Sequence, residues 1–143
     1  MAIELSFRET GSGEPLVILH GLFGAKRNWW SIAKSLGLHR RVLAADLRNH
    51  GDSPWDPAHD YPAMADDVGE LIRKHAGGTA AVLGHSMGGK VAMTLALTSP
   101  ERVDRLVVVD IAPSRSERGP MGHLRTMKDV PLAAITRRSQ VDE

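Results

Sequence analysis

At 143 residues the chain fits one domain of ordinary size, and 42% hydrophobic against 24% charged residues excludes disorder, collagen-like structure and coiled coil. With 18 Lys and Arg against 17 Asp and Glu, the formal charge of +1 steers the chain neither to nucleic acid nor to anionic lipid. The absence of cysteine excludes a disulfide framework, thiolate zinc and a cysteine nucleophile. No apolar run approaches the ~18 residues of a membrane span, and Met1 to Phe7 lacks the regions of a signal peptide, so a soluble, cytoplasmic protein is expected.

Along the chain, Ile3 to Arg8 alternates, and with the turn-rich Thr10 to Gly13 it predicts an antiparallel hairpin opening a mixed sheet. Leu16 to His20, Val42 to Asp46, Ala80 to His85 and Leu106 to Ile111 are continuous, β-branched-rich runs, as parallel strands buried on both faces require. Between them, Trp29, Ile32, Ala33 and Leu36 form one helical stripe, from a cap near Asn28 to a stop at Gly37. Met64, Val68, Leu71 and Ile72 form another, with Pro62 in its first turn and Gly77-Gly78 at its end. A third helix runs from about Met87 to Thr98, where Ser99-Pro100 ends it. This order predicts a three-layer α/β/α fold with right-handed crossovers and a functional site at the carboxyl ends of the strands. After Pro113 the sequence becomes polar and turn-rich, and from Met121 onward only a loose helical pattern remains.

Gly84-His85-Ser86-Met87-Gly88 is a G-x-S-x-G sequence between an apolar strand and a helix. Glycines at 84 and 88 clear side chains from a tight turn, which leaves Ser86 on strained backbone with its hydroxyl thrust out at the sheet's edge. The Met87 N–H, at the start of the helix, points to where negative charge develops in acyl transfer. His20-Gly21-Leu22-Phe23-Gly24 follows the first parallel strand, where a fold of this kind keeps its second oxyanion donor; the Leu22 N–H is that donor here, with Phe23 as its neighbouring alternative.

Together with Asp46-Leu47-Arg48-Asn49-His50-Gly51-Asp52-Ser53, similar to a D-x-R-x-x-G-x-S loop, and with the stretch from Arg105 to Pro113, these motifs resemble the α/β-hydrolase superfamily, most of all the YbfF-type bacterial esterases and their mitochondrial relatives. The resemblance covers nearly the whole chain but only the first half or so of such a protein. It implies a mostly parallel sheet cut after the sixth strand, an N-terminal part of the core over 1–113 and the incomplete start of a helical cap over 114–143. It also implies Asp110, at the end of the Leu106 to Ile111 strand, as the acid of a Ser-His-Asp unit, the other reading being a strand-end or helix-capping role. Asp46 ends a strand as well, but its motif organises the loop.

In this triad the base follows the acid, and only His123 does so, in a polar stretch that no later strand brings back; the base is therefore expected outside this sequence. The expected function is cofactor-free hydrolysis of small carboxylic esters or thioesters, weak or absent in this chain alone. Alternatives are C–C bond hydrolysis or perhydrolysis on the same core, or non-catalytic binding. No metal-ligand spacing such as H-E-x-x-H occurs, and Gly88-Gly89-Lys90 lacks the hydroxyl of a phosphate loop. Trp29, Trp30 and Trp55 are candidates for an acyl pocket, with Trp29 also suited to the core. Val107, Val108 and Val109 would line an open sheet edge through which the chain self-associates or meets a partner.

Overall fold

The computed structural model describes residues 1–114. Over these residues five strands form one mixed sheet: β1 (Phe7–Thr10), β2 (Pro15–Leu19), β3 (Arg41–Ala45), β4 (Ala80–His85) and β5 (Val103–Val109), in the order β1-β3-β2-β4-β5. Pairing is parallel throughout except for β1 on β3. Three helices connect the strands: α1 (Trp30–Leu36), preceded by a 3₁₀ turn over Lys26–Trp29, α2 (Tyr61–His75) and α3 (Met87–Thr98).

The continuous apolar runs are explained by burial on both faces. Leu16, Ile18, Val42, Ala44 and Ala81 meet Ala33 of α1 on one side, while Val17, Leu19, Leu43, Ala45 and Val82 meet Met64, Val68, Ile72, Val91 and Leu95 of α2 and α3 on the other. The α2 stripe is buried as its spacing predicts, and Asp60 caps that helix by accepting the Ala63 N–H at 2.8 Å. Arg73, Lys74 and His75 fill its last turn, where the helix dipole favours cations.

Two expectations about the first elements need correction. Ile3 to Arg8 does not form a hairpin with its sequence neighbour, since both edges of β2 are taken by β3 and β4; the strand begins at Phe7 and lies antiparallel on β3, Phe7 opposite Ala45. The sheet thus has five strands among the described residues, not six. In α1, Ile32 is exposed and Trp30 packs inward beside Trp29 and Leu36, because the preceding 3₁₀ turn, with three residues per turn, shifts the phase of the stripe. Trp30 also lies under Arg8, 3.9 Å from the guanidinium.

Inside the α2 layer Arg48 and Asp67 are both buried and paired through two bonds of 2.7 and 2.8 Å. Asp67 also accepts the Ile3 N–H, and Arg48 donates to the carbonyls of Ala58 and Ala63. One pair therefore ties the segment before β1, the loop after β3 and helix α2 together. Truncating one partner of such a pair leaves a buried charge, at ~3–5 kcal/mol. Asp67→Asn is expected to lower unfolding free energy by about 3 kcal/mol or more at pH 7, read by urea denaturation.

Candidate active site

The turn from β4 into α3 places Ser86 at φ 51° and ψ −117°, a left-handed backbone that costs an L residue about 1–3 kcal/mol and persists only when its surroundings hold it. Ser86 donates its N–H to the Val109 carbonyl at 3.0 Å, and its own carbonyl accepts from Gly89 and Lys90. A Cβ at Gly84 would stand 2.2 Å from the Gly88 carbonyl oxygen, and one at Gly88 would stand 2.6 Å from the carbonyl oxygens of Leu19 and His20. The two glycines of the motif thus serve contact between backbones, as the sequence spacing implies.

The contact at Gly88 also sets α3 against the end of β2, and the loop that follows β2 comes beside the serine. A Cβ at Gly21 would meet the Ser86 Cβ at 3.3 Å and the His85 Nδ1 at 3.0 Å. Leu22 and Phe23 are the middle residues of a turn closed by the Gly24 N–H on the Gly21 carbonyl at 2.9 Å, with Phe23 at φ 61°. Neither the Leu22 nor the Met87 N–H bonds to another described residue. The structure therefore brings Ser86, Leu22 and Met87 to one place. His20, Gly21, Leu22, Phe23, Gly24, Asn28, Trp29 and His85 line an open cleft of about 300 Å³ beside it, and neither Ser86 nor Met87 is among its described lining residues. Trp29 lines the cleft while packing on the core beneath, and Trp55 is 82% exposed.

Asp110 follows β5 directly, one residue past the carbonyl that holds Ser86, at φ 56°. Its carboxylate is 86% exposed and lies 3.9 Å from His85 Nε2, so the residue stands at the predicted strand end with its side chain in solvent. His123 and the segment read as the start of a cap lie outside the described residues.

Asp46 organises its loop. One carboxylate oxygen accepts the Lys26 N–H at 2.6 Å, and the other accepts the Asp52 N–H at 2.8 Å and the Lys26 ammonium. Lys26, buried with it, also donates to Ser6 Oγ and to Asp52, so the loop after β2 and the loop after β3 share one ion cluster. Burial alone pushes the Asp46 carboxyl up, but the hydrogen bonds from Lys26 and from the Asp52 and Lys26 amides outweigh it and leave the group below its ordinary value. Burial would likewise lower the Lys26 ammonium, and its bonds to Asp46 and Asp52 raise it instead. Sequence reasoning passed over Lys26 and Asp67. Asp67 carried a signal, an acid on the apolar stripe of α2 that only a buried partner would tolerate; Lys26 carried none.

The fold and this site define an α/β hydrolase, and the family model described as the alpha/beta hydrolase fold matches residues 14–138; the chain belongs to that family. It is 47% identical over 137 residues to the sn-1-specific diacylglycerol lipase ABHD11 of Danio rerio, covering 93% of this chain and 43% of that protein. Over 102 residues it is 42% identical to the esterase YbfF of Escherichia coli, covering 71% of this chain and 40% of that one. Among solved structures, a marine microorganism esterase superposes with a TM-score of 0.88 at 39% identity, covering 98% of this chain and 56% of its own. The chain thus spans about half the length of these relatives.

The depressed Asp46 carboxyl contributes stability that is fully present above the ordinary carboxylate value near pH 4 and is lost as pH falls through the lowered one. Asp46→Asn should therefore be less stable than wild type at pH 7 and lose less of its remaining stability on going to acid. Urea midpoints measured across that range check both the offset and the slope.

Proposed function

We propose that this chain carries the nucleophile and oxyanion site of a serine hydrolase acting on small carboxylic esters or thioesters through an acyl-enzyme, without a cofactor. The observation that carries the proposal is the strained Ser86 backbone held beside the Gly21–Leu22 peptide, with the Leu22 and Met87 amides unpaired among the described residues. The names of the relatives, lipase and esterase, support the substrate class.

In this reading Ser86 Oγ attacks the acyl carbon while a general base takes its proton. The Leu22 and Met87 amides donate to the oxyanion, and the alcohol or thiol leaves with that proton. Water then releases the acid from Ser86 by the same route. Asp110 is the proposed orienting acid, with the base supplied from outside this sequence; the exposure of its carboxylate just past β5 supports the reading. The cytoplasmic setting drawn from composition remains part of this proposal. So does weak turnover by the 143-residue chain alone.

A fluorophosphonate probe is expected to label the chain at Ser86, with labelling and p-nitrophenyl acyl ester turnover abolished in Ser86→Ala. Loss of a triad serine costs up to ~10⁶ in turnover, so residual activity at wild-type level would overturn the assignment. Ligand binding without labelling, unchanged in Ser86→Ala, would favour a binding protein on the same scaffold.

We further propose that the chain self-associates through β5, which no described strand covers on its outer side and where Leu106 and Val107 are 39% and 46% exposed. Light scattering at micromolar concentration should show species larger than 15.5 kDa that Val107→Lys reduces to monomer. A monodisperse wild-type monomer would contradict this.

A further inference from the structure

The His20 ring is buried, and both of its nitrogens are engaged in directions that fix its proton. Nε2 accepts the Leu47 N–H at 3.0 Å, so Nδ1 carries the hydrogen and donates it to the Gly21 carbonyl at 2.8 Å. That carbonyl belongs to the peptide unit whose N–H is the Leu22 donor. The Gly24 N–H holds the same oxygen from the other side, so the plane of the unit is fixed by two bonds. A hydrogen bond accepted by an amide oxygen polarises the amide and strengthens its own N–H as a donor.

We propose that His20 is a positioning residue of the oxyanion site, its neutral ring locking and polarising the Gly21–Leu22 peptide so that the Leu22 N–H is aimed and strengthened for the developing oxyanion. This rests on the hydrolase reading only for its consequence in turnover; the bond itself is a property of the folded chain. Protonation would convert Nε2 from acceptor to donor and set it against the Leu47 N–H, opening the arrangement. The groups facing the ring bear on that charge. His50 packs against it at 5.0 Å between ring centroids and Lys26 lies beyond in the 3₁₀ turn, both opposing the cation, while Asp46, just past β3, favours it. Burial is the largest influence and holds the ring neutral below the ordinary histidine range, outweighing the Gly21 carbonyl that favours the proton.

Two substitutions separate the two ends of the ring. In His20→Asn the side-chain amide nitrogen stands near the place of Nδ1 and keeps the bond to Gly21, whereas His20→Gln offers an acceptor near the place of Nε2 and no donor to Gly21. The first readout is the ¹⁵N–¹H spectrum of the 143-residue chain, which needs no turnover. Wild type is expected to show a protonated Nδ1 and bare Nε2, His20→Asn to keep the Leu22 amide proton near its wild-type position, and His20→Gln to shift it upfield. If His20→Gln does not fold, the wild-type titration decides: the Leu22 amide should move with His20 protonation, and only below the ordinary histidine range. An Nε2–H tautomer, or a Leu22 amide indifferent to the ring in both measurements, would overturn the proposal.

The second readout is p-nitrophenyl ester hydrolysis. His20→Gln should lose about tenfold or more in kcat with KM unchanged, short of the ~10²–10³ that removal of a whole oxyanion donor costs, and His20→Asn should recover most of that loss. Equal losses in the two variants with KM changed would assign His20 a structural role only. Wild type that fluorophosphonate does not label at Ser86 while the spectra behave as expected would sink the hydrolase reading and leave the His20 bond standing.

Discussion

A sheet covered by helices on both faces has only the ends of its strands at which to place polar chemistry. This constraint governs the whole molecule. Four non-glycine residues adopt left-handed backbone, and they fall after β2, β3, β4 and β5: Phe23, Asn49, Ser86 and Asp110. No such residue occurs elsewhere among the described residues. Strain of about 1–3 kcal/mol at each must be offset locally, and the hydrogen bonds show where. The Phe23 turn is closed by Gly24 on Gly21, Asn49 exchanges bonds with Asp56, and Ser86 is held by Val109 on one side and α3 on the other. Asp110 is a short polar residue that tolerates this backbone at low cost.

Phe23 and Ser86 lack that tolerance, so their conformations are over-determined by what surrounds them. For Ser86 the determinant is steric: with Gly84 and Gly88 lacking side chains, three backbone segments close to distances no Cβ would allow. For the loop of Phe23 it is electrostatic. Lys26, two residues past Gly24, is anchored by main chain and side chain to Asp46 and by side chain to Asp52 and Ser6, while His20 anchors the loop's other end through Gly21 and Leu47. Ser86 is thus set by packing and the loop after β2 by buried polar bonds.

That division explains how much could be read in advance. Packing leaves periodic traces, so the parallel strands, α2 and α3 and the elbow at Ser86 were legible as runs, stripes and a glycine spacing. Polar anchoring leaves little trace in one dimension. Lys26 stands next to Arg27 in an unremarkable stretch, and its partners are 20 and 26 residues away. Arg48 belonged to a readable motif, yet nothing local told that its partner lay on α2. The partner of β1 was hidden for a different reason: pairing is a competition, and the edge that a hairpin would use was claimed by strands later in the chain.

Buried ion pairs rarely improve stability over apolar residues of the same shape, because desolvation cancels most of their attraction. Their value here lies in direction. Apolar contacts would tolerate a displacement of the loop after β2 by a fraction of an ångström, while the Asp46 carboxylate, receiving two backbone amides and an ammonium, admits few arrangements of the loops that supply them. On the proposed function, the Leu22 amide meets charge that exists only in a transition state and needs that kind of restraint, since it has no ground-state partner to guide it. The same logic fits the role proposed for His20: a fixed, neutral ring against the Gly21 carbonyl would orient the peptide without adding a second charge beside Lys26.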